Sequence, residues 1–185
     1  MATLDDKLVQ LVLKWYLRGA EKVVAGVAPD GRTLISDTQV AVLLTTHPFN
    51  LERLVQPNGR VVSEENIKKL LPDKEMGRKN VLLSTGNICS IDRGLTGIQY
   101  VDSTGETWYV DARFVKQLTP VKNMAAVPYV TAVGKGAGIV YFAEEPSGEI
   151  YGFCTTFSTH LKKQFDDISG IGQRKRLGDC ENEMA

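Results

Sequence analysis

Apolar and polar positions divide the 185-residue chain into a helical opening, a long β-rich middle and a polar end. Leu4, Leu8, Leu11, Val12 and Trp15 recur at helical spacing, and Val9, Leu13 and Tyr16 widen the stripe. Thr3 and Asp6 stand at capping-box spacing, Arg18 suits the negative end of a helix, and Gly19 supplies a left-handed stop. The pattern predicts a helix over residues 3–19. Such a stripe serves a partner-binding helix or one packed on its own sheet, and the second is the commoner arrangement.

Residues 22–27 are apolar and β-branched, and Pro29-Asp30-Gly31 is a turn in which Pro fixes φ and Gly accepts positive φ. Strands are predicted over 32–36 and 39–45. Val40–Leu44 is apolar at every position, so it should be buried on both faces, as a central strand is. Ser63 caps a short helix with Glu64 and Glu65 in its first turn and Lys68 and Lys69 in its last, and Pro72 stops it. The polar run 72–80 reads as a boundary.

The most patterned stretch follows. Short apolar runs at 81–83, 88–91, 97–101 and 107–110 are punctuated by Thr85-Gly86, Arg93-Gly94 and Ser103-Thr104-Gly105. That rhythm predicts a small, strongly bent β-barrel. Residues 121–128 read as a connection, 130–138 is glycine-rich, and Gly134 to Gly138 within it reads as a mobile loop before a strand. Strands over 138–142 and 149–157 are joined by a Pro- and Gly-containing hairpin loop at 144–148. A short helix over 160–168 closes at Gly170-Ile171-Gly172. From Gln173 a basic cluster, Arg174-Lys175-Arg176, is followed by Asp179, Glu181 and Glu183, which reads as a disordered tail over 173–185. The expected fold is β-rich α+β: a helix with an antiparallel sheet (1–72), a small barrel (76–120), and a hairpin and helix (128–170) that pack back on the N-terminal part.

The barrel stretch, residues 77–118, resembles SH3-like barrels of the Tudor or KOW type. The resemblance rests on the strand runs above, on Gly105-Glu106-Thr107-Trp108-Tyr109-Val110, and on Ala112 to Leu118, where Phe114 and Leu118 form a closing apolar pair. It implies a fold that binds peptides, methylated side chains or nucleic acid and is rarely catalytic.

Composition narrows the field. Lys+Arg and Asp+Glu number 22 each, so the formal net charge is zero and no whole-protein basic field draws in nucleic acid. Neutrality permits a homo-oligomer. Cys89, Cys154 and Cys180 are scattered and odd in number, which argues against a disulfide framework and for a reducing, cytoplasmic setting. Charges interrupt the apolar runs before they reach membrane-spanning length, and the N-terminus lacks the pattern of a signal peptide.

Few residues offer chemistry. His47, Cys154 and His160 are the only histidines and the best-placed thiol, and together they define an alternative reading as a small hydrolase or transferase. No ligand spacing predicts a metal, and Gly134-Lys135-Gly136-Ala137-Gly138 lacks the phosphate-loop pattern, so no cofactor is expected. The leading candidates are aromatic and basic residues of the barrel: Tyr100 and Tyr109 with Arg78, Lys79, Arg93, Arg113 and Lys116. Strand alternation puts Trp108 and Val110 on one face and Tyr109 on the other, so either one aromatic is core and the other an exposed platform for a base or an extended peptide, or both complete a core this small, which is the commoner arrangement. The function expected from the sequence is a non-enzymatic binding or assembly protein whose barrel face contacts nucleic acid or a protein segment.

Overall fold

A computed structural model describes residues 3–19, 22–45, 61–72, 80–91, 94–121, 126–134, 137–145 and 147–179. The fold is β-rich α+β, with two antiparallel sheets and four helices among the described residues.

Helix α1 (Leu4–Gly19) forms as its pattern predicts. Thr3 N donates to Asp6 Oδ2 at 2.9 Å and Asp6 N to Thr3 Oγ1 at 3.2 Å, which closes the capping box. Its buried stripe is Leu8, Val12 and Trp15. Strands β1 (Val24–Val27), β2 (Thr33–Ser36) and β3 (Val40–Leu44) follow as a meander, and all five residues of β3 are buried. Helix α2 (Glu64–Leu70) begins at Ser63, whose hydroxyl accepts from Asn66 N.

The middle of the chain folds into β4 (Leu83–Ile91), β5 (Leu95–Val101) and β6 (Thr107–Asp111), a three-stranded sheet in the order β4-β5-β6, followed by helix α3 (Ala112–Leu118). The predicted break at Thr85-Gly86 is not a turn between strands. Gly86 adopts positive φ inside β4, and the register with β5 shifts between Ser84 and Ile88, so the strand bulges and continues.

The remaining strands are β7 (Ala126–Gly134), β8 (Ala137–Glu144) and β9 (Glu149–Thr155). The connection read over 121–128 is strand from Ala126 onward, because pairing with β8 extends it, while the glycine-rich 134–138 spans the end of β7 and the start of β8. β9 pairs with β3, which merges the N- and C-terminal parts into one six-stranded sheet in the order β1-β2-β3-β9-β8-β7. Pro128 sits on the edge strand β7, where its missing N–H does least harm.

Helix α4 runs Thr159–Asp179. It passes through Gly170 and Gly172, which were expected to close it, and through the first residues of the expected disordered tail. Glycine costs a helix only about 1 kcal/mol per residue, so it weakens the turn without ending it.

Four layers result. α2 covers one face of the large sheet through Ile67, which packs with Leu34, Leu43 and Phe153. The other face packs against α1, α3 and the small sheet, with Val12, Val42, Trp108, Val110, Leu118 and Val140 in one continuous core. The barrel stretch thus shares its core with the rest of the chain. α4 forms the outermost layer on the far side of the small sheet. It does not pack on the N-terminal part, where the sequence reading put it. Two glycines allow close approach between layers. A Cβ on Gly152 would lie 2.5 Å from Leu118 Cδ2, and one on Gly138 would lie 3.0 Å from Trp108 Cζ3. No helix among the described residues is long and apolar enough to cross a membrane.

Candidate binding site

The residues expected to bind are best judged strand by strand. In the β5–β6 register Tyr100 pairs with Trp108 and Gln99 with Tyr109. Tyr100, Trp108 and Val110 point into the shared core. Tyr109 points the other way, as alternation requires, but it does not reach solvent. It is 1% exposed, under α4. Phe165 of α4 stacks on its ring at 4.9 Å, and Phe157 packs on Phe165 at 4.8 Å. A Cβ on Gly97 would stand 3.0 Å from Phe165 and 3.3 Å from Phe157, so the glycine makes room for both rings. The exposed aromatic platform is thereby corrected: Tyr100 and Tyr109 are both core residues. A small sheet sandwiched between a large sheet and a helix has no free face on which to show an aromatic.

The Tyr109 hydroxyl anchors a polar network between sheet and helix. It donates to Asp166 Oδ1 at 2.9 Å, lies 3.1 Å from Ser169 Oγ, and accepts from Gln99 Nε2 at 2.8 Å. Gln99 Oε1 in turn accepts from Thr85 Oγ1 and Asn87 Nδ2, each at 2.8 Å, on the bulge of β4. Burial foremost, with the Asp166 carboxylate adding to it, pushes the phenol above its ordinary value against the opposing hydrogen bonds of Ser169 and Gln99. Among the described residues, every buried side-chain nitrogen and oxygen has a partner. Sequence reasoning missed Gln99, Asp166 and Ser169; the spacing of Phe165, Asp166 and Ser169 on one helix was the available signal.

Of the expected basic residues, Arg78, Lys79 and Arg93 lie outside the described residues. Arg113 and Lys116 are exposed three residues apart on α3. Arg113 folds back on Asp111, the N-cap of that helix, with a shortest contact of 2.6 Å. The bond raises the guanidinium further above its already high range. Lys162 was not foreseen: it bonds Glu106 at 3.1 Å and its ammonium sits 5.3 Å from the Trp108 ring centre, fastening α4 to the start of β6.

The residues of the enzyme alternative do not form a constellation. His47 lies outside the described residues. Cys154 is buried between Val40 and Val140 in the large sheet, and burial pushes its thiol far up, so it stays protonated. His160 is exposed on the first turn of α4, with its Nε2 3.3 Å from Gln164 Nε2. Among the described residues no hydrogen bond joins it to Cys154, and no three His, Cys, Asp or Glu side chains gather as metal ligands.

Two surface features remain. The first is the outer edge of β4. Each of the other sheet edges takes a hydrogen bond from the chain's own backbone: Val62 N bonds Ala25 O on β1, Leu82 N bonds Pro128 O on β7, and Phe157 N bonds Tyr109 O on β6. Among the described residues β4 pairs only with β5. It carries no charge and no proline over nine residues, and Leu83 and Ile88 are 65% and 68% exposed. The second is a groove of about 710 Å³ between the β4–β5 end and α4, with Ser90, Ile91 and Leu95 on its sheet side.

The chain matches no protein-family model, no curated protein and no solved structure with which it was compared.

Proposed function

We propose that this chain is a non-enzymatic binding protein that takes an extended protein segment along the β4 edge of its small sheet. The observation that carries the reading is the contrast between edges. Each of the other three takes at least one hydrogen bond from the chain's own backbone outside its sheet, whereas β4 offers nine uncharged residues with two exposed aliphatic side chains. Natural sheets guard such edges with charge, proline, bulges or cover, because unpaired N–H and C=O groups recruit another strand, and of these β4 carries only the bulge at Gly86 among the described residues. Strand addition draws affinity from those groups and selectivity from alternate side chains. The SH3-like reading of residues 77–118 belongs to this proposal. A meander of three strands followed by a short helix, with Leu118 buried and Phe114 half-buried, matches the later part of the order such barrels follow, while the separate first strand is merged into β4.

The test uses the full chain and peptides selected from a displayed random library. A selected peptide should slow amide exchange across Leu83–Ile91. Ile88→Lys should weaken its binding about tenfold, the worth of one aliphatic side chain buried on association. Peptides that bind without protecting these amides would overturn the reading. Oligonucleotides at low salt form the comparison arm. Binding there that is lost in Arg113→Ala and Lys116→Ala would move the function to nucleic acid, since phosphate contacts are strongest at low salt.

A further inference from the structure

We infer that the groove between α4 and the β4–β5 end is a side-chain subsite for an aliphatic residue followed by a lysine or arginine on the bound protein segment. This rests on the reading of β4 as the docking edge and names the chemistry of the partner. Ser90 and Ile91, the last residues of β4, line the groove, so the proposed docking edge and the groove adjoin. Its volume, about 710 Å³, exceeds what a single side chain fills and suits a short stretch of peptide. Ile91 and Leu95 line the sheet side, and Leu161 and Ile168 line the helix side. Ile168 is 40% exposed, an aliphatic surface that the described chain leaves open at the rim.

The polar lining sets the charge of the occupant. His160, Gln164 and Asp167 fall at i, i+4 and i+7 on α4, one face of the helix. His160 Nε2 lies 3.3 Å from Gln164 Nε2. Asp166, next in sequence, is committed to Tyr109 on a different face. Among the described residues Asp167 makes no ion pair or hydrogen bond, and it is the formal charge of the described lining. An aliphatic floor beside one carboxylate is complementary to an aliphatic side chain with a cation beside it. The long stems of Lys and Arg can lie on the apolar wall while the head reaches the acid.

The probes are N-acetyl-Leu-Lys-amide and N-acetyl-Leu-Glu-amide, titrated into the full-length chain and followed by amide NMR. The lysine peptide should shift Ser90, Leu95, Leu161, Gln164 and Ile168 saturably and bind about threefold tighter than the glutamate peptide, the worth of an exposed ion pair. Asp167→Asn should abolish that difference, while the exposed position leaves the fold intact. Equal binding of the two peptides, no saturable shift, or shifts elsewhere would overturn the inference. Shifts of the same amides with protein concentration alone would assign the groove to a second copy of the chain and also overturn it. If the dipeptides fail while longer peptides still bind and respond to Ile88→Lys, only this inference falls and the β4 reading stands.

Discussion

Replacing Phe165 by alanine tests the four-layer arrangement most directly. The side chain is 0% exposed, stacks on Tyr109 at 4.9 Å and packs on Phe157 at 4.8 Å. Truncating a buried phenylalanine typically costs about 3–5 kcal/mol. In a chain of this size each kcal/mol lowers the melting midpoint by about 2–4 °C, which gives a fall of about 6–20 °C. The loss has a ceiling, however. Once α4 lifts from the small sheet, Phe165 contributes nothing more, so the variant can lose at most the free energy that holds the helix down. Hydrogen exchange on the full chain should therefore show protection lost first in α4 and in β4 to β6, while β3, β8 and β9 keep theirs. Tyr109→Phe is the control. It keeps the stacked ring but strips Gln99 Nε2 of its partner, at a cost of about 1–3 kcal/mol for a buried group left unsatisfied. An unchanged midpoint together with unchanged protection of α4 in Phe165→Ala would refute the burial. A uniform loss of protection would refute α4 as a separable layer.

Two further outcomes follow from contacts elsewhere. Gly152→Ala should destabilise by about 1–3 kcal/mol in urea unfolding, because the new Cβ would meet Leu118 Cδ2 at 2.5 Å and Ala41 O at 2.9 Å; pairing it with Leu118→Ala should cost less than the sum of the single changes, and strict additivity would count against the clash. Burial raises the Asp102 carboxyl, but bonds from Thr104, Trp108 Nε1 and Glu106 N outweigh it and hold the pKa below the usual value. Its stabilisation is then fully present above about pH 4 and fades as pH falls through the lower folded value. Asp102→Asn should flatten the acid limb of the urea midpoint against pH, and superimposable limbs would refute that linkage.

Local signals in the sequence carried a long way. The Thr3–Asp6 capping box, the Ser63 cap, the buried run Val40–Leu44 and the turn glycines Gly31, Gly105 and Gly148 all depend on near neighbours, and each stands in the structure. Where short-range rules compete, the sequence was less decisive. Gly86 could end a strand or bulge it, and only pairing with β5 chose the bulge. The candidate site was the least legible part. Period-two alternation correctly placed Trp108 and Tyr109 on opposite faces, but a face becomes a surface only if nothing covers it.

Taken alone, then, the amino-acid sequence determined the N-terminal helix, the Ser63-capped helix and most strand runs other than β7, which positions alternate, and that the chain is β-rich with no net charge. The tertiary structure alone decided that β9 completes the sheet of β3, that α4 lies over Tyr109, and that β4 is left as the open edge. The physical reason is range. Caps, turns and periodicity are set within a few residues, whereas cover is decided by contacts such as Tyr109 with Asp166, 57 residues apart in the chain.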